Sequence, residues 1–292
     1  MAKAYALYNP IAGNGQKDEI ITLLQEKVSE ELILIDMTAD GCYDRLFSEI
    51  EKDDSIIVCG GDGTLNRFVN RISDMSVEND ILYFPCGSGN DFAREFGKEK
   101  YATPFSIKQY ITSLPSVEIE GKKMLFINGI GFGIDGYCCE EGDKQRAASD
   151  KPVNYTAIAI KGLLFHYKPA NAKVTVDGAE YSFKKVWIAP TMVGKHYGGG
   201  MTPTPAQDRT AEDGKLSVMI FHGSSALKTL MIFPSLFKGE HIKHTKYVTV
   251  LEGHDVSVEF DAPRAAQVDG ETVLGATGYR ATSAKLVRAN VK

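Results

Sequence analysis

The chain has 292 residues, a formal net charge of −5, 43% hydrophobic residues and 24% charged residues. This length can bury a large core in one or two domains, and the acidic balance argues against general affinity for nucleic acids. No apolar run approaches the ~18 residues that a membrane-spanning helix needs, and the first residues enter a strand at once, which leaves no room for a signal peptide. The five cysteines lack metal-type spacing, so we expect reduced thiols in a cytoplasmic protein.

Strands and helices alternate in the first part of the chain. Apolar runs predict strands at 3–9, 31–38, 55–60 and 81–86. Helical spacing of apolar residues predicts helices near 15–28, 41–51, 64–73, 90–97 and 104–113. This alternation is typical of a parallel sheet with helices on both faces. We therefore expect a three-layer α/β domain over residues 1–123.

Three strand-to-helix turns of this domain are rich in Gly, Asn and Thr or Ser, at 9–15, 60–64 and 85–91. Glycines let the backbone approach a ligand, and the N–H groups at the start of a helix favour an anion. In a parallel sheet such turns meet at the carboxyl edge, where ligands bind. Asp62 adds a carboxylate where a phosphate needs a bridging Mg²⁺, and we expect this surface-loop side chain to contribute little to the core. A single Gly-Gly-x-Gly turn without a ligand is the competing interpretation.

From Val117 onward, strands separated by turns replace the alternation. We expect a strand at 123–133, a hairpin around an Asp-Gly turn at 173–183, and further strands at 186–190, 216–221, 247–251 and 256–260. Helices are predicted at about 152–167 and near 225–237, and the charged, aperiodic segment 140–151 is predicted to be a mobile loop. These elements indicate a mainly antiparallel second domain over 124–276. A return of residues 277–292 to the first domain is left open.

Four motifs occur in a fixed order along the chain. They are Asn9-Pro10-x-x-Gly13-x-Gly15, Gly60-Gly61-Asp62-Gly63-Thr64, Pro85-x-Gly87-Ser88-Gly89-Asn90-Asp91-Phe92-Ala93 and Asn128-x-x-Gly131-x-Gly133-x-Asp135. Together they resemble the bacterial diacylglycerol kinase and lipid kinase family, although NAD kinases and phosphofructokinases share Gly-Gly-Asp-Gly. The resemblance implies an α/β nucleotide-binding domain followed by a β-sandwich lipid-substrate domain. It also implies an ATP- and Mg-dependent kinase that phosphorylates the hydroxyl of diacylglycerol or a related lipid.

The resemblance assigns the nucleotide-binding residues. They are Asn9, Thr38, Gly60, Gly61, Asp62, Gly63, Thr64, Leu65, Asn66 and Ser88. Phosphoryl transfer needs a phosphate cradle, Mg²⁺ and a group that positions or deprotonates the acceptor. The backbone of 60–66 is the candidate cradle, with the Asp62 carboxylate holding the Mg²⁺–nucleotide. For Thr38, a role as a plain cap at the end of a strand is the alternative.

The resemblance also identifies Glu271 as the catalytic base, in Val268-Asp269-Gly270-Glu271. A carboxylate close to the γ-phosphate can take the proton of an attacking hydroxyl. Spacing by itself favours a different interpretation, in which Asp269-Gly270 is a hairpin turn and Glu271 is a solvated strand residue. If the family role holds, the second domain reaches back over the nucleotide cleft.

The Asp213-Gly214 turn corresponds to a structural Mg²⁺ site in the family. The ligands implied are the Asp213 side chain and the backbone carbonyls of Thr210 and Lys215. Because Mg²⁺ keeps most of its waters, a sparse and weak site is physically reasonable. An ordinary turn before a strand is the alternative.

Several features bear on activity and partners. Arg67 stands where the family commonly has Glu, which could weaken metal or nucleotide positioning. His241 and His244 are expected to be a solvated pair rather than zinc ligands, and Trp187 is expected in the core. The basic run around Lys243 is either a solvated face or a contact for anionic lipid headgroups.

Three functions remain in competition at this point. The first is a lipid kinase; the second is a soluble-metabolite kinase of the NAD kinase type; the third is a lipid-binding or regulatory homologue with weakened catalysis. For the first, we expect a lipid substrate at a membrane surface, no nucleic acid partner, no transmembrane segment, and a cytoplasmic protein in transient contact with the membrane. A homodimer is left open, as is the identity of the acceptor, because apolar pockets discriminate weakly.

Overall fold

The computed structural model describes residues 2–10, 17–149 and 153–285. The chain divides into two compact units, Met1–Ser113 and Leu114–Lys292. Parts of several predictions lie outside the described residues. They are Gly13 and Gly15 of the first glycine turn, the beginnings of the helices expected from 15 and 152, the end of the loop expected to 151, and residues 286–292.

The first unit is an α/β domain. Its strands are β1 (Lys3–Tyr8), β2 (Glu31–Asp36), β3 (Ser55–Gly60), β4 (Asp80–Pro85) and β5 (Phe105–Ser106). Its helices are α1 (Lys17–Gln25), α2 (Cys42–Glu49), α3 (Asp62–Arg71), α4 (Asp91–Glu95) and α5 (Lys108–Ile111). The sheet order is β2-β1-β3-β4-β5, with parallel pairing from β2 to β4 and an antiparallel β5 at the edge. The predicted parallel-sheet domain is confirmed.

Side chains that alternate along the first sheet reach helices on both faces. Ala6 shares an apolar cluster with Ile20 and Leu24 of α1. The strand register places Tyr83 on the opposite face, where its ring meets Phe92 of α4 at 5.9 Å. The strand order reverses between β1 and β3, so the carboxyl ends on either side of that point form the crevice where sheets of this kind bind ligands.

The helix predicted at 104–113 is only partly correct. Phe105 and Ser106 instead pair with β4 as the edge strand β5, and the helix is reduced to α5. The reason is packing, because the Phe105 ring lies edge-on to Tyr83 at 6.0 Å and this contact requires an extended backbone.

The second unit is built on a ten-stranded antiparallel sheet. Its strands are β6 (Ser116–Ile119), β7 (Lys122–Leu125), β8 (Gly129–Phe132), β9 (Ala170–Val176), β10 (Ala179–Val186), β11 (Thr191–Met192), β12 (Leu216–Phe221), β13 (Val248–Gly253), β14 (Asp255–Val268) and β15 (Glu271–Thr282). Its helices are α6 (Ile134–Ala148), α7 (Tyr155–Lys161) and α8 (Ala226–Ile232), with a π-helical turn at Gly162–His166 and 3₁₀ turns at Phe233–Lys238 and Glu240–Lys243. The order is β13-β12-β11-β8-β14-β15-β6-β7, and the β9–β10 hairpin pairs with β14 through β9.

The predicted antiparallel β-sandwich-like domain is therefore confirmed. The Asp177-Gly178 hairpin forms as expected, with φ of 49° and 85° at its two turn residues. Trp187 lies in the core. Residues 277–282 belong to β15 in this sheet. No helix within the described ranges is both long and apolar enough to cross a membrane.

The prediction of a mobile loop at 140–151 is wrong for the residues up to 148. These residues continue α6, and their charges pair along the helix surface. The Lys144 ammonium lies 2.8 Å from the Glu140 carboxylate and 2.7 Å from that of Glu141. Such pairs at spacings of three and four residues stabilise a helix without apolar periodicity, which is why the periodicity gave no helical signal.

The strand predicted at 186–190 is also wrong beyond Val186. Ile188 makes single bridges to Gly133 and Phe221, and Pro190 has no N–H to donate to a ladder. The segment crosses between β8 and β12 without becoming a regular strand.

Candidate functional site

The turn between β3 and α3 has the geometry of an anion cradle. Gly61 precedes the helix with φ −99° and ψ −170°, and no side chain of the described residues caps the helix there. The first helical bond runs from the Leu65 N–H to the Gly61 carbonyl at 3.1 Å. The N–H groups of the first turn therefore lack intrahelical partners, and a bound phosphate would complete the cap.

Glycines in this turn and the next occupy positions where neighbouring protein atoms leave no space for a side chain. A Cβ added to Gly60 would lie 2.4 Å from the Thr64 Cβ, and one added to Gly87 would lie 2.3 Å from the Gly61 Cα. The Gly60 carbonyl accepts hydrogen bonds from the Cys86 N–H at 2.9 Å and the Tyr83 hydroxyl at 3.1 Å. The turns after β3 and β4 are thus held against each other by backbone contact.

Asp62 has a structural role that the sequence did not reveal. Its carboxylate accepts the backbone N–H of Asp91 and that of Phe92, each at 2.9 Å. Because α4 begins at Asp91, the Asp62 carboxylate caps the start of that helix. The prediction that Asp62 contributes little to the core is therefore wrong. A carboxylate oxygen can accept more than one bond, so capping α4 is compatible with a role of Asp62 as a cation ligand.

Ser88 is presented by a loop that Asn90 closes. Asn90 has a φ of 52°, its Oδ1 accepts the Gly87 N–H at 3.0 Å, and its Nδ2 donates to the Gly87 carbonyl at 2.9 Å. Ser88 lies in this loop and is exposed. Asn90 is a positioning residue that the sequence showed only as part of a motif.

The other predicted nucleotide residues divide into two groups. Asn9 and Thr38 follow β1 and β2 at the same carboxyl edge as Gly60. The Thr38 N–H and hydroxyl both donate to the Asp36 carboxylate, at 2.8 Å and 2.6 Å, so the turn that holds Thr38 has the geometry of a cap.

The last two residues of the predicted cradle have side chains that point into the domain. Leu65 is completely buried in the core, and its N–H is used by the helix. The Asn66 side chain is buried and accepts from the Asn70 amide at 3.2 Å. The two side chains therefore support the cradle from behind, and a nucleotide contact by either residue stays a prediction.

Glu271 is in the second unit, at the tip of the β14–β15 hairpin. The turn residues Asp269 and Gly270 have φ of 47° and 91°, and Glu271 opens β15 opposite Val268. Its side chain is exposed. Asp269-Gly270 is therefore a hairpin turn, as its spacing indicated, and Glu271 is an exposed residue of the strand that follows. Its role as the catalytic base stays a prediction.

Asp269 anchors this hairpin. It is buried, and its carboxylate accepts the N–H groups of Ile127 at 2.6 Å, Asn128 at 2.9 Å and Gly129 at 3.0 Å. The same bonds explain why the strand predicted at 123–133 is wrong as a single element. It is divided into β7 and β8 because Asp269, rather than a neighbouring strand, takes these N–H groups.

Two further side chains complete the anchor. Arg209 donates to the Ile127 carbonyl at 3.0 Å and to the Asn128 Oδ1 at 3.2 Å. The Gln267 Oε1 accepts the Gly270 N–H at 2.7 Å. Arg209 could not be found from the sequence, because its partners lie 82 and 81 positions away. Gln267 bonds within its own hairpin but belongs to no motif.

We expect Asp269→Asn to destabilise the second unit by about 2 to 3 kcal/mol, since hydrogen bonds to a buried charged group are strong and the new amide would face an N–H donor. Urea unfolding measures this loss. The exposed Asp74→Asn is the matched control and should change stability by no more than about 0.5 kcal/mol. Equal effects of the two substitutions would contradict the anchoring role.

The candidate metal turn offers one carboxylate. Asp213 accepts the Lys215 N–H at 3.4 Å, and its other oxygen lies 3.3 Å from the Lys215 ammonium. The Lys215 carbonyl accepts the Gln207 amide at 3.0 Å, while the Thr210 N–H and hydroxyl donate to Asp208. Within the described ranges, no cluster of three or more His, Cys, Asp or Glu could hold a metal ion. A Mg²⁺ ion at Asp213 would therefore compete with the exposed Lys215 ammonium.

The fourth motif surrounds a buried carboxylate. A Cβ at Gly131 would lie 1.5 Å from an Asp135 carboxylate oxygen, so only glycine fits at this position. The Tyr197 hydroxyl donates a hydrogen bond to the same oxygen at 3.3 Å. The other Asp135 oxygen has no hydrogen-bond partner in the described part of the chain. Burial raises the pKa of Asp135 to about 6.

This pKa predicts a pH dependence of stability. The unfolded carboxyl has a pKa of about 3.9, so the unfolded state loses its proton first as the pH rises. The protonated Asp135 side chain therefore contributes fully to the free energy of unfolding below about pH 4. This contribution, on the order of 3 kcal/mol, is lost as the pH rises through about 6. Asp135→Asn should therefore gain stability relative to the parent between pH 4 and 7 in urea titrations. A constant difference between the two proteins would show that Asp135 does not titrate there.

Comparisons with known proteins cover both units. Residues 3–116 match the model of the diacylglycerol kinase catalytic domain, and residues 128–285 match that of the YegS C-terminal NAD kinase beta sandwich-like domain. A diacylglycerol kinase of Mycobacterium tuberculosis is 25% identical over 255 residues, which cover 83% of this chain and 81% of that protein. YtlR of Bacillus subtilis, provisionally named a lipid kinase, is 24% identical over 248 residues, 78% of this chain and 77% of that protein.

A solved structure shows the same fold. It is that of a provisionally assigned diacylglycerol kinase from Bacillus anthracis, with a TM-score of 0.67 at 18% identity. The superposition covers 96% of this chain and 91% of that one. The likeness therefore extends through both units and is not confined to the glycine-rich turns.

Proposed function

Because the chain belongs to the bacterial diacylglycerol kinase and lipid kinase family, we propose that it is an ATP- and Mg²⁺-dependent lipid kinase. It transfers the γ-phosphate to the hydroxyl of diacylglycerol, which forms phosphatidate, or to that of a related lipid. The observation that carries the proposal is the start of α3. No side chain of the described residues caps this helix, and the close contact between Gly61 and Gly87 excludes a side chain there.

The first unit supplies the nucleotide half of the chemistry. The N–H groups at the start of α3 would hold phosphate oxygens, and Gly60, Gly61 and Gly87 allow the backbone to come close to them. The Asp62 carboxylate would hold the metal, and its two bonds to the start of α4 fix its orientation. Mg²⁺, when bound, neutralises charge on the transferring phosphoryl group. Ser88 and Thr38 offer hydroxyls at the same edge.

Glu271 supplies the acceptor half. The lipid hydroxyl oxygen forms a bond to the γ-phosphorus, the bond from that phosphorus to the β–γ bridging oxygen breaks, and the hydroxyl proton moves to the Glu271 carboxylate. Asp269 and Gln267 support this assignment, because their bonds hold the hairpin tip in one conformation. Pre-positioning of this kind is the main contribution a protein makes to phosphoryl transfer.

A second, structural Mg²⁺ is proposed at Asp213 with the carbonyls of Thr210 and Lys215. The Lys215 ammonium is its competitor, and exposed ion pairs contribute only about 0–1 kcal/mol. The site should therefore fill at high Mg²⁺ concentration. Asp213→Asn would then abolish any stabilisation of the second unit by Mg²⁺.

The experiment that tests the function offers several acceptors to one enzyme. Radiolabelled ATP is incubated with mixed micelles of diacylglycerol, sphingosine or phosphatidylglycerol, with NAD as a soluble acceptor in parallel. We expect label in a lipid product, and only when Mg²⁺ is present. Label in NAD alone would favour the soluble-metabolite kinase. Lipid binding without any labelled product would favour a homologue weakened by Arg67.

We also propose that the protein is cytoplasmic and meets its substrate as a peripheral protein at the membrane. The support is an apolar substrate class combined with the finding that no described helix could span a membrane. Self-association into a homodimer stays a prediction.

A further inference from the structure

Exposed apolar side chains are concentrated in one region of the second unit. Among the described residues, 13 large apolar side chains are exposed, and eight of them lie in the helical segments 155–168 and 225–247. They are Tyr155, Ile160, Leu164, Phe165, Leu227, Met231, Phe237 and Ile242. Phe165, Met231 and Leu227 are 76%, 68% and 64% exposed, which is unusual for side chains of this size.

The two segments form a single surface, here called the helical face. The π-helical turn of the first segment packs against α8, and α8 continues into the 3₁₀ turns. Leu163, Ile232 and Leu236 point inward and share one apolar cluster with Trp187. Because the inward sides of both segments meet in this cluster, their outward sides are neighbours on the surface of the unit.

The helical face is basic in an acidic protein. The two segments contain six lysines and one glutamate, a net charge of +5, whereas the whole chain carries −5. The residues outside the face therefore carry −10. The lysines are Lys161, Lys168, Lys228, Lys238, Lys243 and Lys246. All but the half-buried Lys228 are exposed.

One predicted member of this surface is absent from it. His241 was expected to be solvated, and the structure shows that this is wrong. The side chain is completely buried, with its Nε2 2.8 Å from the Pro203 carbonyl. Burial lowers the pKa of His241, so its role is to fold the 3₁₀ turns and the surface charge comes from the lysines.

We propose that the helical face docks on anionic membranes, with Phe165, Leu227 and Met231 inserted among the lipids and the lysines at the headgroups. The lysine stems can lie along apolar surface while their ammonium groups reach phosphate. A second copy of the chain is a poor occupant, because a twofold contact would place +5 against +5. The proposal rests on the proposed function for its purpose, and its test does not depend on catalysis.

The helical face is connected to the candidate base by a short chain of contacts. The Tyr155 hydroxyl accepts from the Arg146 guanidinium at 2.7 Å, and Arg146 pairs with Asp143. The Asp143 carboxylate in turn accepts the Thr272 hydroxyl at 2.5 Å, next to Glu271. One turn of α6 therefore separates the face from the hairpin tip. Docking through this face would hold the membrane close to the group that takes the acceptor proton.

The test measures binding of the whole chain to vesicles without nucleotide. Vesicles of phosphatidylcholine with phosphatidylglycerol are compared with vesicles of phosphatidylcholine alone, by flotation at low and high sodium chloride. We expect binding to the anionic vesicles that high salt weakens. Phe165→Gln with Met231→Gln should weaken it by about tenfold or more, because two apolar side chains no longer leave water. Lys238→Gln should weaken it by about fivefold.

The matched control changes the same residue chemistry elsewhere. Tyr181→Gln with Met75→Gln removes an aromatic side chain and a methionine that are 40% and 41% exposed outside the face, and should leave binding unchanged. Equal losses in the two double variants, or equal binding to both vesicle types, would overturn the proposal. The proposal would also be overturned if the parent were a dimer that Phe165→Gln with Met231→Gln converts to a monomer, while phosphatidylglycerol had no effect on vesicle binding.

The outcome is separable from that of the function. Kinase activity of the parent on diacylglycerol in neutral detergent micelles, which offer no anionic headgroups, tests the function separately. Vesicle binding in a protein that phosphorylates no lipid would support the face while refuting the function. Lipid kinase activity together with vesicle binding that is insensitive to these substitutions would support the function while refuting the face.

Discussion

Glu271→Gln is expected to lower kcat by about 10²–10⁴-fold while leaving the KM for ATP nearly unchanged. The amide keeps the size and hydrogen-bonding capacity of the side chain but cannot accept the proton of the lipid hydroxyl. The loss therefore belongs to the transition state rather than to nucleotide binding. Steady-state kinetics with saturating lipid and varied ATP measure both quantities. Glu271→Asp, which withdraws the carboxylate by one methylene, should retain partial activity.

Two controls make this result specific. Glu252 is also an exposed glutamate on a strand of the second unit, and Glu252→Gln should turn over at the parental rate. Unfolding of Glu271→Gln should stay close to that of the parent, because Asp269 holds the hairpin through three backbone N–H groups. Turnover of Glu271→Gln at the parental rate would place the base elsewhere in the protein.

Asp62→Asn is expected to reduce kcat/KM by at least about 10²-fold and to raise the Mg²⁺ concentration that gives half-maximal activity. It should also lower the free energy of unfolding by about 1–2 kcal/mol, because the Asp62 carboxylate caps α4 through two N–H groups. Activity as a function of Mg²⁺, together with urea unfolding, separates the two effects.

The control for Asp62 disturbs the same region without removing a carboxylate. In Asn90→Gly, the new glycine accepts the φ of 52°, but both side-chain hydrogen bonds to Gly87 are lost. We expect a loss of stability of similar size, on the order of 1–2 kcal/mol, with an unchanged Mg²⁺ requirement. An unchanged Mg²⁺ requirement and normal turnover in Asp62→Asn would leave Asp62 as a helix cap only.

Local pattern was enough to predict much of the fold. Apolar runs followed by glycine turns located β1 to β4 and the start of α3, because a buried parallel strand and an amphipathic helix each need a short, repeating set of side chains. The Asp177-Gly178 turn predicted its hairpin, since few dipeptides accept two consecutive positive φ values. For the candidate site, the order of the motifs identified Gly60, Gly61, Asp62 and Ser88 at one sheet edge.

The failures share a physical cause, which is that the deciding contacts leave no pattern of apolar residues in the local sequence. α6 is stabilised by charge pairs and by packing on the β14–β15 hairpin, neither of which creates apolar periodicity. The division between β7 and β8 depends on Asp269, more than 140 residues further along the chain. Phe105 is extended because Tyr83 lies beside it.

The sequence by itself therefore determined the class of fold and the positions of the glycine-rich turns, because these depend on local backbone preference. The candidate base followed only from the resemblance of the ordered motifs to a family. Only the tertiary structure decided what holds them in place. Asp62 caps a helix that begins 29 residues later, and Asp269 accepts three N–H groups from the junction between β7 and β8. The tertiary structure alone also brings the exposed residues of 155–168 and 225–247 together into one face that is both basic and apolar. A carboxylate or an apolar side chain takes its role from whichever groups the fold places within bonding distance, and those groups cannot be read from its own neighbours in the sequence.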